Sequence, residues 1–252
     1  MILFQHRRFP TPDYIPDGKH DGTGCCVDGE THVYEDCVVD MTPYDVEQMD
    51  EAVGITWGAS AIFDRCVIRG AGKLFLCGSG DKEYRKFEEG RTVTIKNSIL
   101  ERFGRRGPEV QCGMVCHLED SLVLNWGDAN RFTVRNFGAW AHDGGEIYAK
   151  NTIFLNNSIP TRWQAIADHV NHFFQAIKDN GLRAVFDPLT YTAGIRRGLT
   201  ASDTGYVEAH HCFGFPETLI QNHTDPMQFD EFNERLEKLL LMRQNTEDNA
   251  RY

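Results

Sequence analysis

Residues 62–68 read Ile62-Phe63-Asp64-Arg65-Cys66-Val67-Ile68, and the same arrangement returns four more times along the chain. It recurs at Val33-Tyr-Glu-Asp-Cys37-Val-Val39, Thr94-Ile-Lys-Asn-Ser98-Ile-Leu100, His117-Leu-Glu-Asp-Ser121-Leu-Val123 and Ile147-Tyr-Ala-Lys-Asn151-Thr-Ile153. A short strand-like stretch ends in polar residues, a Cys, Ser or Asn follows, and an apolar pair or its equivalent closes the unit. The small or amide residues at 37, 66, 98, 121 and 151 are separated by 29, 32, 23 and 30 positions. A recurrence of that length is the mark of a repeat architecture in which neighbours stack. The segments are short, β-branched and alternating, with Gly, Asp and Asn at their edges, which favours strands over helical repeats. The expected fold is an all-β solenoid, a right-handed single-stranded parallel β-helix, with Cys37, Cys66, Ser98, Ser121 and Asn151 stacked as an internal ladder.

Between these units lie further strand candidates at Cys25–Val27, Gly54–Trp57, Leu74–Cys77, Val110–Cys112 and Arg131–Arg135, so each coil should hold at least two strands. Beyond residue 157 the period changes. Trp163, Ile166, Val170, Phe173 and Ile177 fall at helical spacing within Thr161–Asp179, and Phe229, Phe232, Leu236, Leu239 and Leu240 do so between about Gln228 and Arg243. Asn245–Tyr252 reads as a frayed tail. The expected division is an N-terminal segment 1–20, a β-helix 21–157 and a C-terminal α-helical extension 158–252. Open coil ends expose strand edges, so a cap or a second copy in a homo-oligomer is expected to cover them.

The chain has 252 residues, 26 basic and 37 acidic, for a formal net charge of −11. That balance argues against general binding to nucleic acid or to anionic membranes. No apolar run is long enough for a membrane span, and the opening MILFQHRRFP has too short an apolar stretch for a signal peptide. Cys112, Cys116 and His117 invite a metal reading, yet residues four apart on a strand are separated by roughly 13 Å, too far to share one zinc ion. The scattered cysteines read as buried thiols. His210-His211-Cys212 cannot all face one ion from a strand. Trp57, Trp126 and Trp140 are candidates for stacking on sugar rings, or for the core.

Four segments, in order, resemble a known family. Asp21-Gly-Thr-Gly followed by His32-Val-Tyr-Glu-Asp-Cys37 looks like a segment ending in Val-Trp-Ile-Asp-His-Cys, and Asp50-Glu-Ala-Val-Gly-Ile55 is similar to Asp-Gly-x-x-Asp. Gly72-Lys-Leu-Phe-Leu-Cys-Gly-Ser-Gly-Asp81 is similar to Lys-Thr-Met-Leu-Ile-Gly-Ser-x-Asp. Arg106-Gly-Pro-Glu-Val-Gln111-Cys-Gly-Met-Val-Cys-His117 resembles Arg-x-Pro-x-x-Arg-x-Gly-x-Val-His. Together they resemble the pectate lyases of polysaccharide lyase family 1, over roughly half of the chain.

The resemblance implies β-elimination on an acidic polysaccharide such as polygalacturonate, outside the cytoplasm or in the periplasm. It implies Arg106 as base, Lys73 as carboxylate ligand and Ca²⁺ as cofactor. Two departures stand out. Gln111 occupies the place of the family's second arginine and cannot neutralise a carboxylate. The calcium-binding acids correspond to Glu35, Asp50 and Gly54, so one carboxylate is missing; Asp36, Glu51 or Asp45 are the available substitutes. Lost chemistry at these positions is the basis of the alternative reading, a non-catalytic glycan-binding or structural protein.

Overall fold

The computed structural model describes residues 1–10, 25–44, 51–79, 85–126, 137–155, 199–202, 204–213, 222–223 and 227–252. The chain begins with β1 (Ile2–Gln5) and β2 (Arg8–Phe9), then settles into groups of three strands. The groups are β3 (Cys25–Asp28), β4 (Thr31–Glu35) and β5 (Val38–Asp40); β6 (Glu51–Thr56), β7 (Ser60–Asp64) and β8 (Val67–Arg69); and β9 (Lys73–Cys77), β10 (Thr92–Lys96) and β11 (Ile99–Phe103), with the single turn α1 (Arg85–Glu88) after β9. Next come β12 (Glu109–Val110), β13 (Val115–Glu119) and β14 (Leu122–Trp126), and then β15 (Ala139–Ala141), β16 (Glu146–Lys150) and β17 (Ile153–Leu155). The strands β18 (Leu199–Ala201), β19 (Tyr206–His210) and β20 (Asn222–His223) follow, and the helix α2 (Phe229–Asn249) ends the chain.

From β1 to β19 every third strand pairs, and β20 adds to β19, so three sheets form. The first has the order β1-β4-β7-β10-β13-β16-β19-β20, the second β17-β14-β11-β8-β5-β2 and the third β18-β15-β12-β9-β6-β3. The paired strands are parallel throughout. The sheets thus reach past the expected limits of 21–157 at both ends: β1 and β2 join the first circuit, and β18 to β20 continue the sheets. The expected helix at 161–179 and the strand at 131–135 lie outside the described residues.

The repeat has a local chemical cause at the corner between the first and second sheets. His6, Asp36, Arg65, Asn97, Asp120, Asn151 and His211 all take φ between 48° and 53°, so a single left-handed residue turns the chain in each circuit. At every one of these corners after the first, where Arg7 follows His6, the next residue carries a short donor that closes onto the carbonyl two positions back. Ser98 Oγ donates to Lys96 O (2.8 Å), Ser121 Oγ to Glu119 O (2.7 Å), Thr152 Oγ1 to Lys150 O (3.0 Å) and Cys212 Sγ to His210 O (3.2 Å). Cys37 and Cys66 do the same toward Glu35 O and Asp64 O. This corrects the expected ladder by one residue. Asn151 belongs to the left-handed corner row beside Asn97, and Thr152 takes the inner place, because the fifth unit is in register one residue later, Tyr148 and not Ile147 pairing with His117.

Of the apolar pair that follows, one residue points inward and one outward. Val39, Ile68, Leu100, Val123 and Phe154 enter the core. Val38, Val67, Ile99, Leu122 and Ile153, in register with one another, form a row on the outer face of the second sheet, and all are fully buried. The helix α2 lies over that row. Phe232 stacks on Phe213 at 4.1 Å, Arg235 pairs with Asp120, Arg243 reaches Glu101 at 3.0 Å, and Thr246 Oγ1 donates to Arg65 O at 3.0 Å. Arg251 forms a bridge with Arg7 in the first circuit. The expected frayed tail from Asn245 is therefore corrected. The helix continues to Asn249 because Thr246 is buried and Glu247 pairs with Arg69.

The interior is apolar, with Phe4, Tyr34 and Phe63 stacked in successive circuits at 4.9 and 4.6 Å. Cys25, Cys37, Cys66, Cys77, Cys112, Cys116 and Cys212 are all buried. Burial pushes the Cys212 thiol up to about 12, so it behaves as a small hydrophobe. One glycine sets a corner. Gly70 takes φ +88°, and a Cβ there would lie 2.4 Å from Thr42 N. Gly70→Ala is expected to cost about 2–4 kcal/mol from backbone strain plus overlap. Urea unfolding at neutral pH checks it; an unchanged midpoint would refute the close approach.

Candidate functional site

Strand alternation sorts the third sheet into an inner and an outer face. Val53, Cys77, Val110 and Ala141 belong to the core. Glu109 and Trp140 face each other in register, one residue out of phase with the paired Val110 and Ala141, and so lie on the outer face. Gln111 and His142 continue the two strands on the same face. At the entrance to this sheet Glu51 and Lys73 are register partners, and Lys73 forms a bridge with Arg105.

Arg106 joins these groups. Its guanidinium pairs with Glu51 through Nη1 and with Glu109 through Nε, the second contact at 2.7 Å being a charge contact without aligned hydrogen-bond geometry. Both carboxylates are buried, and the Arg106 side chain is 16% exposed. The other Glu109 oxygen, Oε1, lies 3.1 Å from His142 Nε2. The His142 ring stacks on Trp140 with centroids 4.1 Å apart and planes at 24°, and Trp140 Nε1 donates to Ser202 Oγ at 2.9 Å. The result is a chain of contacts, Glu51–Arg106–Glu109–His142, that spans four circuits, from β6 to β15.

Three of the residues singled out from sequence, Arg106, Lys73 and Glu51, come together here. Gln111 shares the face but is committed to the scaffold: its Nε2 donates to Gly78 O at 2.9 Å and its side chain is buried. Glu35 and Asp36 stand elsewhere, at the corner between the first and second sheets. Gln5 donates to Glu35 at 2.7 Å, and Arg65 holds Asp36 through two contacts at 2.9 and 3.0 Å. Gly54 pairs with Leu76 on β9, while Asp45 and Asp50 lie outside the described residues. The described members of the calcium set do not fit one ion, since Asp36 and Glu51 are bound to arginines and Glu35 and Asp36 occupy a different corner. Among the described residues no group of three or more His, Cys, Asp or Glu side chains is arranged to hold a metal ion.

The remaining candidates disperse. Cys116 is in the core, whereas His117 is on the outer face of the first sheet, stacked on Tyr148 at 5.6 Å. His210 contacts Glu208, His211 pairs with Glu231 on α2 at 3.0 Å, and Cys212 enters the core. Trp126 is fully buried against Phe154, and Trp57 is 53% exposed. Among the described residues no helix is long and apolar enough to cross a membrane.

Glu109 and His142 were not singled out from sequence. They are 33 positions apart and neither sits in a motif with its partner; only the stacking of β12 on β15 brings them together. The usable signal was their common offset from the core residues Val110 and Ala141. A scan against protein-family models and a search of curated proteins both return no match.

Proposed function

We propose that the chain is a right-handed parallel β-helix that cleaves an acidic polysaccharide such as polygalacturonate by β-elimination at the outer face of its third sheet. Right-handedness follows from the strong preference of parallel crossover connections, repeated here in every circuit. One observation carries the functional reading: Arg106 pairs with Glu51 and Glu109, while Lys73 is the register partner of Glu51 and bridges to Arg105, so three basic residues come to the entrance of the third sheet on a chain of net charge −11. Uronate elimination requires that charge. The sugar carboxylate must be neutralised so that electron density can build on it as the C5 proton leaves.

Arg106 is better suited to that electrostatic role than to proton abstraction, because its guanidinium is already paired with Glu51 and Glu109. Calcium enters no step of this reading. The assay is ultraviolet absorbance of unsaturated uronates released from polygalacturonate. Lys73→Ala is expected to lower kcat/KM about 10- to 100-fold, the loss of one charged contact to the reacting group. A chelator is expected to leave the wild-type rate within about twofold, since Lys and Arg supply the positive charge; abolition by chelator would count against this assignment.

A second reading has its own support. Gln111 is pinned to Gly78 and Arg106 is already paired, features of a site that binds a glycan without cleaving it. Folded protein that retains polygalacturonate in affinity electrophoresis yet releases no unsaturated product would establish that reading instead.

A further inference from the structure

We infer that His142 is the group that removes the C5 proton, with Glu109 as its positioning residue and Arg106 as an electrostatic partner. The inference rests on the lyase reading above and departs from the role that the resemblance gives to Arg106. Glu109 is 3% exposed and contacts Arg106 through one oxygen and His142 through the other. A carboxylate paired with a guanidinium only accepts hydrogen bonds, so His142 Nε2 carries the hydrogen. The lone pair is then on Nδ1. A carboxylate that fixes the tautomer of a histidine and leaves its second nitrogen basic is the arrangement a general base requires. Trp140 stacks against the ring and is itself tied to Ser202, which restricts the imidazole further. The His142 side chain is 16% exposed, enough for contact with a solute on this face.

The step balances as follows. The C5–H bond breaks and its proton moves to Nδ1 of His142. The electron pair forms the C4=C5 double bond, and the C4–O bond breaks with its pair going to oxygen. The leaving oxygen takes a proton from water, and the imidazolium returns its proton to the hydroxide so formed. Negative charge that accumulates on the uronate carboxylate during transfer falls near Arg106, which shares Glu109 with His142. Among the described residues the other charged groups around the ring are Glu109, Arg106 and, through the next residue, Asp143, which pairs with Arg85 at 2.9 Å.

The test uses the full chain and polygalacturonate, comparing wild type with His142→Ala, His142→Gln and Arg106→Lys. His142→Gln keeps a donor toward Glu109, so it preserves the scaffold while removing the base. Both His142 variants are expected to lose about 10²- to 10⁴-fold in kcat with KM little changed. Added imidazole is expected to restore part of the rate of His142→Ala, and Arg106→Lys to keep a larger share of activity than either. Wild-type activity together with either His142 variant within threefold of it would overturn the assignment and leave the lyase reading standing. So would a loss confined to KM. An inert but folded wild type would bring down the lyase reading and this assignment with it.

Discussion

Glu101→Ala is expected to destabilise the protein by about 3–5 kcal/mol, the usual cost of leaving a buried ion without its partner. Glu101 is fully buried on the outer face of the second sheet, with Arg69 and Arg102 at 3.4 Å and Arg243 at 3.0 Å. Arg69 also holds Asp40 at 2.7 Å and contacts Glu247, and Arg243 lies 3.8 Å from Glu247. Those two arginines would keep a counter-ion in the variant. Arg102 would not: it is 6% exposed, held at φ 56°, and among the described residues its ion pair is with Glu101. Most of the expected loss is therefore the stranded Arg102 charge. The remainder is the contact to Arg243, which ties α2 to the sheet. Urea unfolding of the variant is the check, and a change below about 1 kcal/mol would show that water reaches this cluster.

The same cluster sets an acid limit. Burial pushes the Glu101 carboxyl up, but Arg243, Arg102 and Arg69 together outweigh it and hold the group below the usual carboxylate range. Asp40 is also lowered, burial being outweighed by the hydrogen bond and charge of Arg69. A carboxyl whose folded value is depressed contributes stability that is complete above its unfolded value and disappears as pH falls through the folded one. The unfolded values lie near 4. Stability is therefore expected to hold down to about pH 5 and then to decline, with part of the decline absent in Glu101→Ala. Thermal melts of the two proteins from pH 7 to 3 would show this; parallel curves would contradict it.

The repeat was legible because its chemistry is local. A left-handed corner followed by a Cys, Ser or Thr that bonds two residues back constrains three adjacent positions in each circuit after the first, and that leaves a trace in sequence. The third sheet leaves far less, since β12 has two residues and β15 three, too few to show alternation. The first circuit is similarly hidden in β1 and β2. At the site, Lys73, Arg106 and Glu51 could be named in advance because each lies in a motif. Asp36 could be named but not placed: its corner position turns it toward Arg65 and away from the third sheet. The pairing of Glu109 with His142 depends on how far the chain travels in one circuit, a quantity set by loop length that no local pattern records.

Deleting residues 227–252 should remove more stability than any single substitution discussed here. The helix has 21 residues, about 31 Å at 1.5 Å per residue. It runs from the circuit of His211, which pairs with Glu231, to the circuit of Arg7, which bridges to Arg251. Six inter-strand steps separate those circuits, about 29 Å at 4.8 Å each, so the helix spans the stack. Beneath it runs the row of Val38, Val67, Ile99, Leu122 and Ile153, five fully buried side chains that would otherwise face water. Phe232, Leu236 and Leu239 supply the helix side of that contact. At roughly 1.5–3 kcal/mol per buried side chain, the loss reaches the order of the whole stability of an ordinary domain, about 5–15 kcal/mol. The truncated chain is expected to accumulate as insoluble protein or to melt without cooperativity. Leu236→Ala, a milder version of the same lesion, should cost about 2–4 kcal/mol and leave the fold intact. A truncated chain that stayed soluble and melted cooperatively near the full-length temperature would mean that the row is covered by something other than α2.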